Sequence, residues 1–211
     1  MTTRGRGRER DAPAWLQAKA RLLPNLLPQS PPWVRSVFEH AWAPMRALAE
    51  TIQPLPAALW PFLLDQDGGT LAICPGESRY VTGPATVGRL EARNVAFVSV
   101  ADLAEDNEQP LHILGHLIDH YLGCGGEPEG AWLSEGGGLF PRWQEAGQRL
   151  PDLFALGYGV DEVARASVRN YFARSLAWYC RDREGLNVAD PQIDKWFRTT
   201  LWSEAFWRVD E

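Results

Sequence analysis

The chain is poor in several features that would place it at once. Its 211 residues hold only three cysteines, Cys74, Cys124 and Cys180, an odd number at wide and irregular spacing. That pattern argues against a disulfide framework or a cysteine zinc knuckle and leaves them as small reduced thiols. No stretch approaches the ~20 apolar residues of a membrane span, and the N-terminus lacks the apolar core of a secretory signal. A cytoplasmic protein with no membrane partner is expected. Basic charge is also short: the net charge is −6 and the pI is near 5.3. Nucleic acid is therefore not an expected partner, because phosphate binding needs a basic footprint. The local exception is TTRGRGRERD, where Arg4, Arg6, Arg8 and Arg10 alternate with Gly and Glu. Residues 1–12 read as a solvated, disordered basic tail.

Tryptophan is abundant, at ten residues. Recurrence at helical spacing makes most of them packing residues, with Trp132 and Trp143 as candidates for an aromatic contact surface. Residues 13–54 form a helical extension: one helix over 13–23, a proline-broken link, and a second over 32–52 with a kink at Pro44. Residues 55–211 form the main domain. It has a short helix over 56–65, a turn at 67–69, strands at 70–74 and within 76–100, and a helix beginning near Asp106 to Pro110. A glycine-rich connection over 123–138 follows, then helices over 161–182 and 191–207. The fold class is α+β. His40, alone beside Trp42, reads as a packing or surface residue.

Three of the four histidines, His112, His116 and His120, fall within nine residues of one apolar segment, LHILGHLIDHYLG. On a helix, positions i and i+4 project the same way, so His112 and His116 are candidate ligands of one metal ion. Their spacing is that of H-E-x-x-H, but the position of the general-base glutamate holds Ile113. His120 lies about 12 Å along the axis from His112, too far to share that ion. A second register, His116, Asp119 and His120, spells H-x-x-D-H, a weaker relative of H-x-x-E-H.

The segment HILGHLIDHYLG resembles the active-site helix of zincin metallopeptidases of the anthrax toxin lethal factor type, with Gly115, His116, Asp119 and Gly123 matching and Ile113 departing. NYFARSLAWYCRDREGLNVADPQIDKWFR, residues 170–198, is similar to the helix that carries that family's third zinc ligand, through Phe172, Ala173, Tyr179, Asp182, Asp190 and Pro191. The resemblance implies a zincin-like domain whose third-ligand position is Asn170, with Arg174 in place of a second glutamate. The family's transition-state tyrosine falls on Val163, with Tyr158 nearby but out of register. Asp119 is then a supporting residue that orients a histidine, or the buried hydrogen-bond partner of His116 or His120.

A catalytic zinc needs three protein ligands and an open position, with a carboxylate to take the proton of the bound water. Isoleucine, asparagine and arginine at these positions do none of this. The expectation is a degenerate pseudo-metallopeptidase without cofactor, which binds a peptide or protein along a strand near Asn94–Val100. The alternative is a zinc-dependent hydrolase with His112 and His116 as ligands and an acid from the glycine-rich connection, Glu135 or Glu127. Glu129 and Glu162 are weaker candidates for that acid. A third reading is a structural domain of a larger assembly.

Overall fold

The computed structural model describes residues 11–208. The arginine-rich tail before Asp11 lies outside the described residues. The chain opens on α1 (Asp11–Lys19), which gives way to a strand, β1 (Ala20–Leu22), where a continuous helix to 23 is expected. Pairing with the sheet overrides the local pattern, and Lys19 Nζ anchors the switch by donating to the carbonyls of Gln66 and Gly68. Three short helices follow: α2 (Leu26–Gln29), α3 (Pro32–Val37) and α4 (Ala43–Ile52). The helix expected over 32–52 is thus two. Pro44 does not kink it but starts the second piece, in a first turn where its missing N–H leaves no bond unmade. Next comes α5 (Leu59–Asp65), fixed to α1 by Trp15 against Trp60, with ring centroids 5.2 Å apart.

The sheet is completed by β2 (Leu71–Cys74), β3 (Arg79–Val87) and β4 (Leu90–Ser99), in the order β1-β2-β4-β3. β1, β2 and β4 run parallel, and β3 returns antiparallel along β4. The strand expected to receive a peptide, residues 94–100, is therefore central and already paired on both sides; the edges are the three-residue β1 and the longer β3. The sequence carries the reason. Val95 to Val98 are buried without alternation, as a strand covered on both faces requires, whereas β3 is fully buried at only two of its nine positions. Leu71, Ile73, Ala96 and Val98 face the main core, and Ala72, Cys74, Val95 and Phe97 form a smaller cluster behind. Asn94, at φ +55°, sits opposite the β3 bulge. Its side chain accepts from Gly83 N and donates to the Gly126 carbonyl and Tyr121 hydroxyl.

After α6 (Val100–Ala104) comes α7 (Gln109–Cys124), which carries the histidines and is buried nearly all round. It starts with Pro110 in its first turn and ends at Gly125 in the left-handed conformation. The connection beyond it contains one 3-10 turn (Leu133–Glu135) and leads to α8 (Pro141–Ala155), a helix the sequence reading does not anticipate. Trp143, Ala146, Gly147 and Leu150 bury one face of it. Trp143 packs among Phe62, Phe140, Phe206 and Trp207, so it is core and not a contact surface. Then follow α9 (Glu162–Arg165), α10 (Val168–Arg181), α11 (Arg183–Ala189), α12 (Pro191–Thr199) and α13 (Glu204–Trp207). Asp190 caps α12 through Ile193 N and accepts the buried Tyr171 hydroxyl at 2.7 Å. The fold is α+β, and residues 13–54 contribute a strand as well as helices.

The helix crossing that matters most is α7 on α10. A Cβ at Gly115 would lie 2.8 Å from Ala173 Cα, and one at Gly123 would lie 2.2 Å from Leu133 N. Gly115→Ala should lower stability by about 1–2 kcal/mol, because backbone overpacking outweighs the ~1 kcal/mol gain in helix propensity. Gly123→Ala should cost more, and Gly76→Ala, with open space around it, should be near neutral. Denaturant unfolding of the three variants gives the comparison.

Candidate functional site

The crossing at Gly115 and Ala173 determines which side chains meet. The residues three before and one after Gly115 are His112 and His116; the same offsets from Ala173 give Asn170 and Arg174. At i, i+4 each pair shares a helix face, so the four converge beside the contact. The His112 and His116 ring centroids are 4.8 Å apart. The Asn170 side chain acts on both rings, although it gives His112 Nε2 no well-aligned hydrogen bond. The three positions singled out as metal ligands are therefore neighbours in space.

Their electrostatics favour neutral rings. Burial, reinforced by Arg174, lowers the His112 pKa to about 4. Burial, then the His112 ring and Arg169, lowers His116 to about 3. His112 Nδ1 lies 3.3 Å from Gln109 Oε1, an acceptor that fixes the proton on Nδ1 and leaves Nε2 as a bare lone pair. That Nε2 is buried and without a partner.

Arg174 is buried across the first turn of α7. Its Nη2 donates to Glu108 and its Nε to Asp161, each at 2.6 Å, while Nη1 is buried with no partner. At the other end of the crossing Arg169 makes a bidentate pair with Glu135, at 2.8 and 2.9 Å, and its guanidinium sits 4.1 Å above the Trp132 ring. Burial tends to raise the Glu135 pKa, but its bonds to Arg169 and to Trp132 N prevail and hold it low. Glu135 is thus a committed structural anion. The Glu127 side chain is exposed, and only its backbone carbonyl enters the cluster, as acceptor for His120 Nε2 at 2.9 Å. Glu129 and Glu162 are exposed.

No protein-family model matches the chain, and no curated protein or solved structure matches it.

The remaining expected residues serve the scaffold. Asp119 does not bond His116 or His120; both its oxygens accept from Ser134, Oδ1 from the backbone N–H at 2.7 Å and Oδ2 from the hydroxyl at 2.6 Å. His120 accepts the Tyr80 hydroxyl on Nδ1 at 2.8 Å and stacks on Trp132 at 4.7 Å, so it belongs to a buried tie between β3, α7 and the glycine-rich connection. The H-x-x-D-H register is thereby dismantled. Trp132 is buried beneath Arg169 and is not a free contact surface. Ile113 is core, and Val163 and Tyr158 are exposed. Gln109, Tyr80, Ser134 and Arg169 escaped the sequence reading. Only Gln109, one turn before His112 on the same helix, carried a local signal.

These residues do not fit a catalytic zinc. Two histidines and a neutral amide fall short of the three strong ligands such a site needs. No group of three His, Cys, Asp or Glu able to hold a metal occurs among the described residues. The nearby carboxylates are tied to arginines, and both arginines put positive potential on the rings. A cavity of about 730 Å³ lies elsewhere, between α1, the Gln53–Trp60 segment and Leu201–Trp207, and the histidines do not line it.

The neutral histidines imply a pH dependence of stability. Unfolded, both rings titrate near 6.5; folded, they refuse the proton until far lower pH. The histidine contribution is then intact above pH ~6.5 and falls by up to a few kcal/mol as the pH drops toward ~4, because at these two rings only the unfolded chain takes up protons; Asp119, whose burial raises its pKa to about 8, offsets part of this in the opposite sense. Denaturation at pH 7 and pH 5 should show this loss, and His112→Gln with His116→Gln should flatten it.

Proposed function

We propose that this chain is a catalytically degenerate zincin-like domain of lethal-factor type, which binds a peptide or protein segment and does not cleave it. The observation that carries this reading is the meeting of His112, His116 and Asn170 across the α7–α10 crossing. These are the ligand positions that the two resembling segments assign independently. The glycine and alanine of those segments are the residues in contact at the crossing, so the likeness has a packing cause.

The chemistry has been removed from all sides. The base position is a core isoleucine, the third ligand is an amide, and the neighbouring charges are closed ion pairs. A peptide would be received at β3, the longer of the two edges of the sheet, whose Tyr80 reaches His120 on α7. Thr82 and Gly83, opposite Asn94, form the bulge that blunts this edge against indiscriminate pairing. One observation favours the zinc hydrolase instead: His112 holds the tautomer of a metal ligand, with Nδ1 on Gln109 and Nε2 open.

Zinc content separates the readings. Wild-type protein dialysed against micromolar zinc should retain far less than one equivalent, and Asn170→Glu, which restores a His2Glu set, should bind about one equivalent at least 100-fold more tightly. That zinc should disappear in Asn170→Glu with His112→Ala. An Asn170→Glu variant with no gain would reject the zincin reading. A full equivalent in wild type, lost in both His112→Ala and His116→Ala, would establish the metal site of the hydrolase.

A further inference from the structure

Two buried polar groups at the crossing are unsatisfied, and they are complementary. His112 is 7% exposed and Arg174 is 9% exposed, yet His112 Nε2 and Arg174 Nη1 have no hydrogen-bond partner. One is an acceptor, because Gln109 Oε1 holds the ring proton on Nδ1. The other is a donor. Arg174 Nη2 grips Glu108, one helical turn before His112 on the same face of α7, so the guanidinium lies across that face beside the imidazole. Leaving either group dry and unpaired is costly, more so for the charged one. Asn170 and His116 beside the pair are only partly buried, so the cluster approaches the surface there.

We infer that this donor–acceptor pair is a binding site for a carboxamide, the side-chain amide of a glutamine or asparagine in a bound peptide. Its carbonyl oxygen would accept from Arg174 Nη1–H and its N–H would donate to His112 Nε2, with the Asn170 amide at the mouth. A carboxylate is disfavoured on two counts. It has no hydrogen for the His112 lone pair, and the Arg174 charge is already balanced by Glu108 and Asp161, both at 2.6 Å. An apolar side chain would leave both groups unpaired. Sites built this way discriminate strongly, because the wrong ligand strands buried polar atoms. The inference uses the peptide-binding reading only for the source of the amide.

The test is a titration of full-length protein, labelled with 15N at histidine, with N-acetylglutamine methylamide, followed at His112 Nε2. Its glutamate and leucine analogues and free propionamide are run in parallel. A saturable shift of His112 Nε2 with the glutamine compound, at least tenfold weaker with the glutamate and leucine analogues, is expected. An equal affinity for propionamide would assign the site to small free amides and overturn the peptide source. Arg174→Lys, which keeps a cation between Glu108 and Asp161 but removes Nη1, should weaken binding at least tenfold at His112 Nε2, and His112→Leu, followed at the neighbouring His116 ring, should do the same. No shift with either carboxamide, or equal shifts with the leucine analogue, would overturn the site and leave one buried water bridging the pair. Carboxamide binding in a protein whose Asn170→Glu variant gains no zinc would sink the zincin reading alone.

Discussion

The approach of α7 to α10 at Gly115 and Ala173 is the constraint from which the rest of the site follows. Two helices this close leave no room for a Cβ on Gly115, and the flanking turns of both must then face each other. His112 and His116 meet Asn170 and Arg174 for that reason alone. The polar cluster is thus a consequence of a packing contact. A metal would pull these side chains together only if the third ligand were strong; here the helices do it.

Around that contact, buried hydrogen bonds fix α7 along its length. Asp119 holds the 3-10 turn through Ser134, His120 joins β3 to the glycine-rich connection, and Tyr121 bonds the carbonyl of Asp67 and the amide of Asn94. Gly123 admits the Trp132–Leu133 backbone against the helix. Each group is satisfied by a partner far along the chain, and none remains free for catalysis. His112 Nε2 and Arg174 Nη1 therefore stand out as the unfinished pair within a cluster that is otherwise closed.

Legibility in the sequence follows the range of the interactions. α7 was readable because its apolar run, its proline start and its glycine end are all local. α8 was not, although Trp143, Ala146, Gly147 and Leu150 have helical spacing, because Pro151 and the surrounding polar residues obscured it. Pro44 was read as a kink where it is a helix start; the two differ only in what lies upstream. The alternation-free run from Val95 to Val98 marks a doubly covered strand, so a peptide expected along Asn94–Val100 finds no free backbone there. In the site, the i, i+4 pair and Asn170 were accessible through pattern. The commitments of Asp119 to Ser134 and of Glu135 to Arg169 were not, since no periodicity reveals a pairing across a connection.

The two arginines set the charge balance of the site. Isoleucine at 113 enters the core at no polar cost, but asparagine at 170 leaves two imidazoles facing a weaker partner. Arg174 supplies a fixed positive charge at one end of the crossing and Arg169 supplies another, and each is held by carboxylates from a different element: Glu108 and Asp161 for one, Glu135 for the other. Burial keeps the histidines neutral, the arginines' fields reinforce it, and their ion pairs tie α7, α9, α10 and the 3-10 turn together. Removing Glu108 or Asp161 strands the largely buried Arg174 charge, which costs more than the pair contributes, whereas the Arg169–Glu135 pair is partly exposed and weaker. The cluster is therefore locked against small changes, and what it offers a ligand is hydrogen-bond geometry and not charge.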